Sequence, residues 1–208
     1  MQANPAFKDV SRETWDDLRA YEDLLTKWTK RINLVASSQL DELWERHILD
    51  SLQIAPLISK DASLITDIGS GGGLPGLVLA IHAKYYAPHR RINLVESDQR
   101  KAAFLRTVIR ELKLNASIHA VRIEEVFLDP AEIVTARALA PLTDLLAHSE
   151  PLLKAGGTAI FPKGRTASEE LETARETWQF TCHAVQSLTQ PDARILVIKD
   201  IIRGNLRS

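Results

Sequence analysis

The sequence predicts a doubly wound α/β fold with a mostly parallel sheet, and three observations carry that expectation. From Ser63 onward, short β-branched apolar runs alternate with stretches of helical periodicity, as expected of strands joined by crossover helices. Five glycines fall within Gly69 to Gly76, directly after the first of those runs. Two carboxylates, Asp67 and Glu96, close the first two runs, where sheets of this kind bind ligands.

Two helices are expected first. Ser11 to Arg31 places Trp15, Leu18, Leu25, Trp28 and Ile32 at near-helical spacing behind Ser11 as N-cap. Leu40 to Ala55 does the same with Leu40, Leu43, Trp44, Ile48 and Leu52, and Pro56 ends it. Strands are then expected at Ser63–Asp67, Arg91–Glu96, Ser117–Val121, Ile133–Ala136, Thr158–Phe161 and Ile195–Lys199, with Cys182–Leu188 as one more candidate. Helices between them are expected at Pro75–His82, Gln99–Leu112, Leu142–Leu153 and Ser168–Trp178. The chain thus divides into a helical extension, 1–60, packed on a sheet domain, 61–208, as one structural unit.

Composition narrows the function. The 208 residues are 45% hydrophobic and 25% charged, enough for one domain with a substantial core. Cys182 is the only cysteine, so neither an intramolecular disulfide nor a cysteine-based metal cluster is expected, and no metal site is assigned. No run of 18 apolar residues appears and the first ten residues lack a signal-peptide core, which places the protein in the cytoplasm. The net charge is −1, against the basic excess of a general nucleic-acid binder. RNA binding would then rest on local clusters: Lys27, Lys30 and Arg31; Arg106 and Arg110; Lys199, Arg203 and Arg207.

The glycine loop decides the cofactor. Gly71, Gly73 and Gly76 satisfy the dinucleotide spacing, which alone is a weak signal for NAD. The register D-x-G-x-G-x-G from Asp67 through Gly69, Gly71 and Gly73 fits better. An acid there repels a pyrophosphate and suits the cationic methionine part of S-adenosylmethionine. Glu96 can accept both hydroxyls of an adenosine ribose, a device that either cofactor uses.

The signatures that are missing agree with a ring nitrogen as methyl acceptor. Attack by a pyrimidine carbon needs a cysteine nucleophile, and Cys182 lies late in the chain, in no strand-end Pro-Cys loop. Exocyclic amine methylation usually carries an Asn/Asp-Pro-Pro-aromatic loop after the fourth strand, where this chain has Ala136 to Pro141. A ring nitrogen with a free lone pair needs neither device, only aligned attack. Arg137 follows the fourth strand and Lys163 the fifth, so both cations can hold RNA phosphates or the base; salt bridges to nearby acids are the alternative.

Several stretches, in order, resemble one family: Asn33 to Val35, Arg46 to Leu52, Asp67 to Gly76, Asn93 to Ser97, Ala136 to Ala140 and Lys163-Gly164. The family is the small-subunit ribosomal RNA methyltransferase G family, formerly called glucose-inhibited division protein B, and the likeness runs from about Trp28 to Lys199. The resemblance implies a class I, Rossmann-like methyltransferase with a mostly parallel seven-stranded sheet preceded by helices. It also implies S-adenosylmethionine as cofactor and N7 of a guanine in bacterial 16S ribosomal RNA as acceptor, in free RNA or the small subunit. Carried over by position, its cofactor contacts fall on Gly69, Leu74, Ile123, Glu124 and Arg137. Val35 and Leu74 stand where the family often has threonine and phenylalanine. His47 reads as a packed, hydrogen-bonded residue, within a block that docks the N-terminal helices over the cleft. A small-molecule methyltransferase, which the neutral charge favours, an NAD-dependent oxidoreductase and an inactive binding module remain as alternatives.

Overall fold

The computed structural model describes residues 7–204; Arg207 lies outside them. Seven strands form one sheet in the order β3-β2-β1-β4-β5-β7-β6. The strands are β1 Leu64–Ile68, β2 Arg91–Val95, β3 Ala116–His119, β4 Ala131–Thr135, β5 Leu153–Lys163, β6 Trp178–Gln186 and β7 Arg194–Arg203. Pairings from β3 through β5 are parallel, and β7 runs antiparallel to both β5 and β6. The order reverses between β1 and β4, which makes their carboxyl ends the switch point of the sheet.

Helices cover both faces. On one side α1 (Arg12–Thr29), α3 (Gly76–Tyr86) and α4 (Gln99–Glu111) pack with Ile65, Ile92, Leu94 and Ile133. On the other, α5 (Leu142–Ser149) and α6 (Ala167–Arg175) pack with Ile68, Val95, Val134 and Phe161. The α1 helix starts where expected, with the Ser11 hydroxyl accepting from the Thr14 amide at 3.3 Å. Its Leu18, Tyr21 and Leu25 are fully buried in the sheet's own core, each adding roughly 1.5–3 kcal/mol on burial. The Tyr21 hydroxyl donates to the Gly72 carbonyl at 2.6 Å, so the first helix holds the glycine loop directly. Burial pushes the Tyr21 phenol well above its usual range.

Several expected boundaries needed correction, among them the helix expected over Leu142–Leu153, which ends at Ser149. The single helix over Leu40–Ala55 is instead a 3-10 helix, Ser37–Glu42, a π-helix, Trp44–Leu49, the short turn α2, Asp50–Leu52, and a 3-10 turn, Ala55–Leu57. The Ser51 hydroxyl donates to the His47 carbonyl at 2.7 Å, competing with the α-helical ladder there. The third strand ends at His119 rather than Val121. The β5, β6 and β7 strands are all longer than expected; antiparallel pairing can leave one face to water, so polar residues extend β6 and β7 beyond their apolar stretches. No helix among the described residues is long and apolar enough to cross a membrane.

Candidate active site

Past β1 the chain turns through Gly69, Gly71 and Gly73, all at positive φ. At Gly69 (φ +64°) the backbone is in the left-handed region that favours glycine, and a Cβ would also lie 2.5 Å from Leu139 Cδ1, so that side chain would have to shift. Gly69, Gly71, Gly72 and Leu74 line one side of a cavity of about 560 Å³, and Glu96, Ile123 and Glu124 line the other. That volume lies within the roughly 300–1,000 Å³ usual for small-molecule and cofactor pockets. Ile123 and Glu124 come from a 3-10 turn, Ile123–Glu125, set at the rim by the early end of β3.

Glu96, only 8% exposed, braces the cavity. One carboxylate oxygen accepts from the Gly71 amide and the other from the Asp98 amide, both at 2.8 Å. Each oxygen retains a further lone pair, so a ligand diol can bond there without displacing either amide.

Asp67 and Gly73 correct the sequence reading, because neither lines the cavity. Asp67 shares a strand face with Ile65 and is fully buried beneath the loop. Thr135 donates to its Oδ1 at 2.8 Å, while Oδ2 has no hydrogen-bond partner. Burial pushes its carboxyl up to about 7, against the Thr135 hydrogen bond. Gly73 is likewise structural: its amide donates to the Ser70 carbonyl at 2.6 Å and closes the turn.

Arg137, two residues beyond β4, stands between this cavity and a second one of about 790 Å³. The segment Arg137–Ala140 forms the wall that both share. The guanidinium donates to His47 Nδ1 and to the His47 carbonyl, the latter at 3.3 Å, and its Nε lies 3.7 Å from Asp50 Oδ2. Arginine can only donate, so Nδ1 is the acceptor and His47 Nε2 donates to Gln39 Oε1 at 3.1 Å. Burial, then Arg137 and Arg46, pull the imidazole down to about 4, and His47 is neutral at physiological pH. Lys163 lines the second cavity and donates to the Ala140 carbonyl at 2.8 Å and to Glu170 at 2.7 Å. Lys163 therefore adopts the salt-bridged alternative, although its ammonium retains a third proton to donate.

The structure thus brings Gly69, Gly71, Leu74, Glu96, Ile123, Glu124 and Arg137 to one cavity and Lys163 to its neighbour. Sequence reasoning missed Asp50, Gln39 and Glu170 as the side chains that hold these groups. The available signal was the helical register of His47 and Asp50 with the apolar Leu43 and Ile54. Among the described residues no cluster of His, Cys, Asp or Glu is placed to hold a metal.

A sheet wound in this order, with a glycine loop and a strand-end carboxylate opening at its switch point, is that of a class I S-adenosylmethionine-dependent methyltransferase. An O-methyltransferase from Bacillus cereus, solved with SAH, shares the fold: TM-score 0.60, 15% identity, covering 93% of this chain and 95% of that one. The family model for rRNA small subunit methyltransferase G matches residues 14–197. The chain is 49% identical to the ribosomal RNA small subunit methyltransferase G of Granulibacter bethesdensis, over 96% of its length and 91% of the relative's. With the protein of that name from Acidiphilium cryptum it shares 50% identity, over 94% and 89%. The chain belongs to the rRNA small subunit methyltransferase G family.

Proposed function

We propose that this methyltransferase, in the cytoplasm, methylates N7 of a guanine in the 16S RNA of the small ribosomal subunit. The observation that carries the reading is the shared wall at Arg137–Ala140, which sets a cofactor-sized cavity beside a larger one at the sheet's switch point. The residues of the first cavity fit S-adenosylmethionine. Glu96 offers lone pairs to the ribose hydroxyls, Leu74 and Ile123 give apolar contact to the adenine, and Gly69 and Gly71 admit the ligand to the backbone. Glu124 sits at the rim, and Arg137 closes the end toward the acceptor. When bound, the cofactor supplies an electrophilic methyl group on a sulfonium sulfur.

The second cavity takes the base. It combines the apolar surfaces of Leu139, Pro141, Pro162 and Ile195 with the cations Arg137, Lys163 and Arg194. A base turned out of a folded RNA loop can stack there, as enzymes that modify bases require. Two acids of this cavity, Asp50 and Glu170, are held by Arg137 and Lys163. N7 of guanine carries its own lone pair, so the chain's task is alignment and charge rather than proton removal. The residues before β1 cover the glycine loop through Tyr21, and we read them as part of one catalytic unit with the sheet domain.

Incubation with small subunits or 16S RNA and a labelled donor, followed by mass mapping, tests this. Label at a guanine N7 is expected. Label on an exocyclic amine or a ring carbon, or transfer only to small molecules, would overturn it.

A further inference from the structure

Asp50 lies in the α2 turn, outside both the glycine loop and the sheet, and is only 6% exposed. Its Oδ1 accepts from Gln53 Nε2 at 2.8 Å and from Thr189 Oγ1 at 2.7 Å. Its Oδ2 faces Arg137 Nε at 3.7 Å. The two sides of this carboxylate therefore hold different parts of one cavity. Thr189 belongs to the segment between β6 and β7, whose Ser187 and Gln190 line the second cavity. Gln53 secures the same segment through its Oε1, which accepts from the Leu188 amide at 2.7 Å.

We propose that Asp50 is a positioning residue for methyl transfer: through its ion pair it fixes the Arg137 guanidinium between the two cavities and neutralises its charge. This rests on the function proposed above. In that reaction the carbon–sulfur bond breaks as the N7–carbon bond forms, and the electron pair of the broken bond stays on sulfur. No proton is lost, so the positive charge passes from the sulfonium to the purine. A bare guanidinium on the shared wall would oppose charge arriving in the second cavity; a paired one does not. Among the described residues Asp50 is the one carboxylate in salt-bridge contact with Arg137. His47 is neutral and only accepts from Arg137, and Glu170 is bound to Lys163.

The test uses the intact chain with small subunits as substrate. Asp50→Asn retains an oxygen for Gln53 and Thr189 and nearly the same shape, but removes the charge and turns an NH2 toward the Arg137 guanidinium. Its single-turnover rate should fall about 10- to 100-fold, as for a misplaced positioning group, while affinity for S-adenosylhomocysteine stays within about threefold, as expected if only the acceptor side is disturbed. Because the two residues act as a unit, Asp50→Asn combined with Arg137→Ala should be no more than about threefold slower than Arg137→Ala alone. A wild-type rate for Asp50→Asn, or losses that multiply in the double variant, would overturn the proposal while leaving the assigned function intact. A wild-type rate for Arg137→Ala would overturn both the site assignment and the proposal built on it. Should Asp50→Asn not fold, Arg137→Lys carries the test, since an ammonium lacks the fork to reach His47 and Asp50 together. It should be at least about tenfold slower, and a wild-type rate would again refute the role of Asp50.

Discussion

Replacing Glu96 with alanine removes both its bracing of the loop and its proposed contact with the cofactor. On the protein side the change frees the Gly71 and Asp98 amides, each bonded to the carboxylate at 2.8 Å. Both bonds are only partly buried, so water can replace the acceptor, and the stability cost should total about 1–3 kcal/mol. For a chain of this size that lowers Tm by about 2–12 °C. On the ligand side the change removes the charged acceptor proposed for the ribose diol, which should cost about 1.5–3 kcal/mol, or roughly a 10- to 150-fold rise in Kd. Glu96→Gln distinguishes the two effects, because it retains one acceptor oxygen but turns an amide NH2 toward one of the backbone N–H groups. Scanning calorimetry should show a smaller Tm loss for glutamine than for alanine, and titration calorimetry with S-adenosylhomocysteine should show weakened binding in both. Wild-type affinity in either variant, alongside a lowered Tm, would mean that Glu96 only braces the loop and that the ribose binds elsewhere.

Asp67 makes a prediction about pH. Its folded-state pKa, about 7, lies above that of an unfolded aspartate, so the folded state holds the proton more tightly and loses stability as pH rises from about 4 to 7. The depressed values of His47 and His82, both about 4, act oppositely over part of that range, so the comparison is wild type against Asp67→Asn. The stability difference in favour of the variant should grow from pH 4 to pH 7 in urea titrations, and a pH-independent difference would refute the assignment. Gly76→Ala places a Cβ 2.3 Å from Leu94 Cδ2 and 2.6 Å from Asp67 Oδ2. Such overpacking should cost about 1–3 kcal/mol, visible as a lower urea midpoint; an unchanged midpoint would show that the start of α3 can move. Cys182 sits in β6 opposite Ile198, outside both cavities. Cys182→Ser should therefore keep the methyl-transfer rate within about threefold, since the proposed transfer to a ring nitrogen needs no covalent intermediate, and loss of turnover in a folded variant would restore attack through a thiolate.

The parts of this protein that could be read from sequence are those where a local pattern and a local physical demand coincide. The β1 strand is buried on both faces at every position, so it shows as a short β-branched and apolar stretch, Leu64 to Thr66, followed by the acid Asp67 one residue before its end. The glycine loop is legible because Gly69 adopts a backbone conformation that favours glycine. The β6 strand alternates buried or half-buried with exposed residues and carries no comparable run. Asp67 was read as facing the ligand because only its position at a strand end was visible. Strand parity sets it on the side of Ile65 and α3, and Gly76, which has no room for a Cβ beside that carboxylate, was the trace this left in the sequence. The network around Arg137 could not be reached in this way. His47 lies 90 residues from Arg137, and Asp50 lies 139 from Thr189. Helical periodicity over 40–55 reports which side of that segment is apolar, but not that its buried polar residues pair with the sheet's far loops. A buried carboxylate persists only when its partners are in place, and here partners of Asp50 lie on the two loops that line the second cavity. The Arg46–Ser51 block thus ties the N-terminal segment to the site's geometry through charge and hydrogen bonding, which no local periodicity encodes.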